Sequence, residues 1–146
     1  MLSQAKKGFT IIEVVIVLVI GAIIMLMVFL VVPQLQRSQR DSRRQQDARQ
    51  LLAAAEQSST QNNGTYPTAA NILGVAQGFI RNPFNDPNGV AYTFAAGPGS
   101  GTGVQIIYTI PGRCGAAGAT TSTGATGNQT AVSVEQENGN SFCVEN

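Results

Sequence analysis

The sequence predicts an α+β protein in which a long N-terminal hydrophobic α-helix packs on a small antiparallel β-sheet head. Three observations predict it. Residues 9–32 are a 24-position run whose only polar members are Thr10 and Glu13. Downstream, Ala48, Leu51, Leu52, Ala55 and Ser59 recur at helical spacing. Between residues 90 and 145, four short segments alternate apolar and polar residues in the manner of strands.

Composition narrows the function before any motif is read. A chain of 146 residues has room for one modest domain, or for an anchor with a small head. Charge is uneven. Residues 1–50 carry seven Lys/Arg against three Asp/Glu (+4), and residues 51–146 carry two against five (−3), which sum to the +1 of the whole chain. With no His, neither a His general base nor an HExxH zinc site can be built, and two Cys do not make a four-ligand zinc site. The expectation is a protein that is not an enzyme and has no cofactor or resident metal.

As a helix, residues 9–32 would be about 36 Å long, against a hydrocarbon core of roughly 30 Å. The segment is apolar on all sides, which suits a membrane span better than a core helix, and nothing downstream is large enough to wrap it. A cleavable secretory signal has a shorter core and a small-x-small site after it, which Val32-Pro33-Gln34-Leu35 does not offer.

The segment Lys6-Lys7-Gly8-Phe9-Thr10-Ile11-Ile12-Glu13, leading into this run, closely resembles the class III signal of type IV pilins and pseudopilins. The resemblance covers the leader and the whole apolar helix. It implies a leader of residues 1–8 with Lys6 and Lys7 as its charge, cleavage between Gly8 and Phe9 by a prepilin peptidase, and N-methylation of Phe9. Residues 9–33 would be the transmembrane and then filament-core helix, residues 34–60 its amphipathic continuation, and residues 61–146 the head. Helix melts near internal Gly and Pro in assembled pili of this family, which makes Gly21 to Pro33 the candidate extensible stretch. A carboxylate near the centre of an apolar span costs about 2.5–3.5 kcal/mol on insertion scales. Glu13 either reaches water at the cytoplasmic face or, as the resemblance implies, pairs with the Phe9 amine of a neighbouring subunit and sets the assembly register.

After the span, Arg37, Arg40, Arg43, Arg44 and Arg49 stand among Asp41 and Asp47. The pairs Arg37–Asp41 and Arg43–Asp47 have the i,i+4 spacing of a solvated helix face. Counting Lys/Arg beside the span would put the C-terminal side in the cytoplasm; the leader motif and the cysteines favour a head outside it. The arginines also suit phosphates of DNA or lipid headgroups, although no aromatic residues interleave with them.

In the head, Gln61 to Thr68 is a turn cluster, with a short helix expected over Ala69–Gln77. The Asn-Gly-Thr-Tyr-Pro-Thr portion resembles the segment that follows the long helix in pseudopilins and many pilins, and the loop Asn82 to Gly89 is similar to one in major pseudopilins. An EF-hand alignment of that loop fails, since Phe84 falls at the first ligand position and Ala95 at the last, so a turn around Asp86 is expected. Strands are expected over Val90–Ala95, Val104–Ile110, Thr130–Glu135 and Ser141–Glu145, the last two joined around Asn138-Gly139. Gly115 to Gly127 is too poor in apolar residues to order itself. A head outside the membrane favours a Cys114–Cys143 disulfide over two free thiols, and pilins often carry such a C-terminal loop.

The function this implies is mechanical. The subunit of a type IV pilus, most simply its major pilin, polymerises into a helical homopolymer through its N-terminal helix. Its partners are the membrane before assembly, the peptidase and the pilus assembly machinery. Motility, adhesion or DNA uptake would follow from the filament. The alternatives are a pseudopilin of a type II secretion or competence system, and an adhesive protein on an uncleaved anchor.

Overall fold

The computed structural model describes residues 8–146. The helix α1 runs over Ile11–Gln61, and the chain divides into two compact units between Arg37 and Ser38.

In the first unit every described residue is exposed. Its β-branched Ile and Val are middling helix formers, yet a backbone placed in hydrocarbon has to bond internally, and a helix does that within one segment. Pro33 lies inside α1. It supplies no N–H, so the Phe29 carbonyl loses its helical donor.

The second unit holds the core. Ala48, Leu51, Leu52 and Ala55 of α1 are buried together with Ile72 and Ala76 of α2 (Ile72–Phe79). Against them lie Ile106 and Tyr108 of β2 (Gln105–Thr109) and Val132 and Val134 of β5 (Ala131–Glu135). At the end of α1, Asn63 is left-handed (φ 54°), and the Gly64 N–H returns to the Ser59 carbonyl at 2.8 Å, a Schellman closure. Helix α2 begins three residues later than expected. Thr68 uses its carbonyl to accept the Asn71 and Ile72 N–H groups, which extends the turn cluster.

The main sheet has the order β1-β2-β5-β6, with β1 at Thr93–Ala96 and β6 at Ser141–Glu145. β2–β5 and β5–β6 are antiparallel, as expected, but β1–β2 is parallel, so the sheet is mixed. A parallel return usually takes a dozen or more residues. Here residues 97–104 make it, with glycines at 97, 99, 101 and 103. Eight residues reach about 27 Å, enough to span back along a strand of about 13 Å.

The Gly115–Gly127 tract is not structureless. β3 (Arg113–Cys114) pairs with β4 (Thr120–Thr121), and the tract covers the other face of β2 and β5. Thr109 Oγ1 donates to Thr120 Oγ1 at 2.8 Å, and Ser133 Oγ donates to the Gly118 carbonyl at 2.6 Å. A side chain at Gly118 (φ 72°) would collide with the Ser141 carbonyl. Polar contacts to a strand therefore supply the order that apolar residues in the loop could not.

Candidate functional site

The segment expected to carry function begins at Gly8 and Phe9; Lys6 and Lys7 lie outside the described residues. Residues 8–10 are non-helical and exposed, and Phe9 is 89% exposed. The bond between Gly8 and Phe9 is thus held by no helix, and a Cβ at Gly8 would meet nothing within 4 Å.

Two residues on, Thr10 and Glu13 close a capping box. Glu13 Oε2 accepts the Thr10 N–H at 2.8 Å and the Thr10 hydroxyl at 2.7 Å. The pattern Thr-x-x-Glu before an apolar run is a helix-start signature, the signal in the sequence for this second role of Glu13. It gives Glu13 a role inside its own subunit: two donors at the helix start are satisfied before any neighbour arrives. Both hydrogen bonds use Oε2, so Oε1 keeps its accepting capacity. Around this carboxylate Phe9, Val14, Ile16, Val17 and Leu18 line an apolar groove. Gly21 and Pro33 both sit within continuous α1.

The basic stretch departs most from expectation. Its i,i+4 spacing predicts a solvated face, but the partners lie far away in sequence and the face is partly buried. Arg44 donates through Nε to Asp86 Oδ1 at 2.5 Å and through Nη2 to Oδ2 at 3.3 Å. Asp86, 3% exposed, also accepts the Asn88 N–H at 3.0 Å, forming the expected turn. Its two oxygens are committed to a guanidinium and a backbone amide rather than to a metal ion. Among the described residues no cluster of His, Cys, Asp or Glu is arranged to hold a metal ion.

Asp47 is buried and accepts from Arg81 Nη2 at 2.8 Å and from the Tyr92 hydroxyl at 3.0 Å. Burial pushes its carboxyl up, against the pull of those two donors, and burial likewise raises the Tyr92 phenol. Arg40 clasps Glu137 through both Nε and Nη2, and Asp41 Oδ1 accepts the Glu137 N–H at 2.7 Å. The Arg40 hydrogen bond holds the Glu137 carboxyl at about 2. Four residues over three turns of α1, Arg40, Asp41, Arg44 and Asp47, thus tie it to the loop at 81–92 and to the turn after β5. Arg49 lies over the Phe142 ring at 5.1 Å. Arg37 and Arg43 remain exposed. No periodicity in the sequence could have matched these partners, because the sheet decides which loop meets which turn of helix.

Cys114 and Cys143 form a disulfide with Cα atoms 5.7 Å apart, joining β3 to β6. Across a sequence separation of 29, such a bridge stabilises by about 3–4 kcal/mol in the chain-entropy model.

Compared with known proteins, residues 3–29 match the model of the prokaryotic N-terminal methylation motif, the class III signal of type IV pilins and pseudopilins. No curated protein and no solved structure matches the chain.

Proposed function

We propose that this chain, which carries the class III signal of type IV pilins and pseudopilins, is a structural subunit of a type IV pilus, its major pilin. Residues 1–8 are removed between Gly8 and Phe9 by a prepilin peptidase, and Phe9 is N-methylated. Residues 9–33 span the cytoplasmic membrane until the assembly machinery transfers the subunit into a helical homopolymer, with residues 61–146 outside the cytoplasm. The observation that carries this reading is the exposed apolar surface from Phe9 to Val32, broken only by Thr10 and Glu13, most of which lies within the matched motif. In lipid or among identical helices that surface is covered, and exchanging one for the other rests on packing rather than on new hydrophobic transfer. Oε1 of Glu13 takes the amine of a neighbour's Phe9, while Oε2 keeps the Thr10 cap. Melting of Gly21–Pro33 lets the filament extend. Motility, attachment and DNA uptake are uses of such a filament.

Mass spectrometry of the mature N-terminus tests the reading: a methylated Phe9 supports it, and intact Met1 overturns it. Protease access to the head on intact cells tests the orientation. Glu13→Gln keeps a capping acceptor and loses the charge, whereas Glu13→Ala loses both. Both variants should be processed and incorporate poorly; normal filaments from Glu13→Gln would reduce Glu13 to a cap. The second reading, a pseudopilin, draws on Tyr66-Pro67 and the Asn82–Gly89 loop. Long surface filaments by electron microscopy favour the pilin, and short periplasmic ones the pseudopilin.

A further inference from the structure

β2 and β5 are antiparallel neighbours, and such a pair can be joined by a two-residue turn. Here residues 110–130 join them. This connection detours across one face of the sheet to β6, where the Cys114–Cys143 bond fastens it. On that face Ile107, Thr109, Ala131 and Ser133 are all buried. None of them belongs to the apolar core, which packs on the other face with α1 and α2. Residues 115–127 add nothing to that core either, and their only wholly apolar side chains are four alanines. This strap is therefore held by few contacts. Ser133 Oγ donates to the Gly118 carbonyl at 2.6 Å, and Thr109 Oγ1 donates to Thr120 Oγ1 at 2.8 Å. The Gly99 and Thr120 backbones exchange hydrogen bonds at 2.9 and 2.6 Å. Each such bond contributes little net, because water replaces it on opening. The remaining fastening is covalent, and both cysteines are only partly buried, so a thiolate can reach it.

We infer that the Cys114–Cys143 bond is a redox-sensitive latch: its reduction frees the strap and bares the sheet face of Ile107 and Ser133, while α1, α2 and the sheet stay folded. One thiolate of an external dithiol attacks a sulfur of the bond, forming a mixed disulfide and expelling one cysteine as thiolate. The second thiolate breaks the mixed disulfide, closing the reagent into a cyclic disulfide and releasing the other cysteine. The cysteine pair gains the two electrons and two protons that the dithiol gives up. Opening stays local because the core contacts lie on the opposite face of the sheet. The latch does not depend on assembly into a filament, since an anchored, non-polymerising chain would carry the same strap.

The test uses nuclear magnetic resonance of the isotope-labelled full chain in dodecylphosphocholine micelles, with and without dithiothreitol. On reduction, amide resonances of residues 115–127 should move to random-coil positions. Those of Leu51, Ala55, Val132 and Val134 should keep their native dispersion. A soluble gadolinium chelate should then broaden the Ile107 methyl signals, which it spares in the oxidised chain. The double variant Cys114→Ser with Cys143→Ser should reproduce the reduced spectrum without any dithiol. The inference is overturned if the strap resonances stay in place and Ile107 stays shielded after reduction, because the polar contacts then suffice. It is equally overturned if Leu51 and Val134 lose their dispersion together with the strap, because the bond then holds the whole head.

Discussion

Up to Val32, α1 presents apolar side chains on all sides, and its one acid, Glu13, is satisfied by Thr10 three residues away. From Ser38 onward the same helix buries Arg44 and Asp47 and satisfies them with groups 34 to 91 residues distant. Exposed apolar surface on the first stretch marks surroundings the chain does not itself provide. Buried charge on the second marks surroundings it does provide. A helix can therefore begin as an exposed apolar rod and end packed into a folded head, with composition changing in between and secondary structure not at all.

The strongest way to break this contrast is to remove one buried charge. Arg44→Ala leaves Asp86 uncompensated, and thermal unfolding of the full chain in detergent should show a loss of about 3–5 kcal/mol. Arg44→Met with Asp86→Leu should recover most of it, since an apolar pair of similar volume tolerates burial. Next comes a matched pair on the two stretches. Leu51 is fully buried and Leu18 is 67% exposed. Leu51→Ala should cost about 2–5 kcal/mol by urea or thermal melts, and Leu18→Ala in detergent should stay within about 0.5 kcal/mol. Equal effects would erase the distinction between the stretches.

The smallest effect concerns acid. Glu137 titrates at about 2 instead of the usual 4.5. A lowered folded-state pKa means its contribution is present in full above pH 4.5 and is lost as pH falls towards 2. Arg40 and Glu137 are partly exposed, so the contribution is within about 1 kcal/mol. Asp47 has the opposite sign: burial raises its carboxyl, so protonating it favours the fold. Subtracting the Glu137→Gln melting profile from the wild-type profile between pH 5 and 2 isolates the Glu137 limb.

Legibility in the sequence follows the range of the interaction. The apolar span, the stripe at Ala48–Ser59, β2, β5, β6 and the turn at Asn138-Gly139 were all readable, because each rests on residues a few positions apart. The turn at Asp86 was readable too, but its ion pair with Arg44 was not. The parallel setting of β1 was missed because alternation shows that a strand exists and not which way its neighbour runs. The loop between the cysteines looked empty because its partners, Thr109 and Ser133, lie on strands whose second face alternation assigns to solvent.

By itself, then, the sequence determined the apolar helix, the N-terminal methylation motif at its start and the strands that follow, all of them consequences of local periodicity and residue chemistry. Only the tertiary structure decided which arginine meets which carboxylate and that the sheet is covered on both faces. Burial makes those choices. A charge or amide withdrawn from water has to find its partner wherever the fold brings one, and separation along the chain does not encode that meeting.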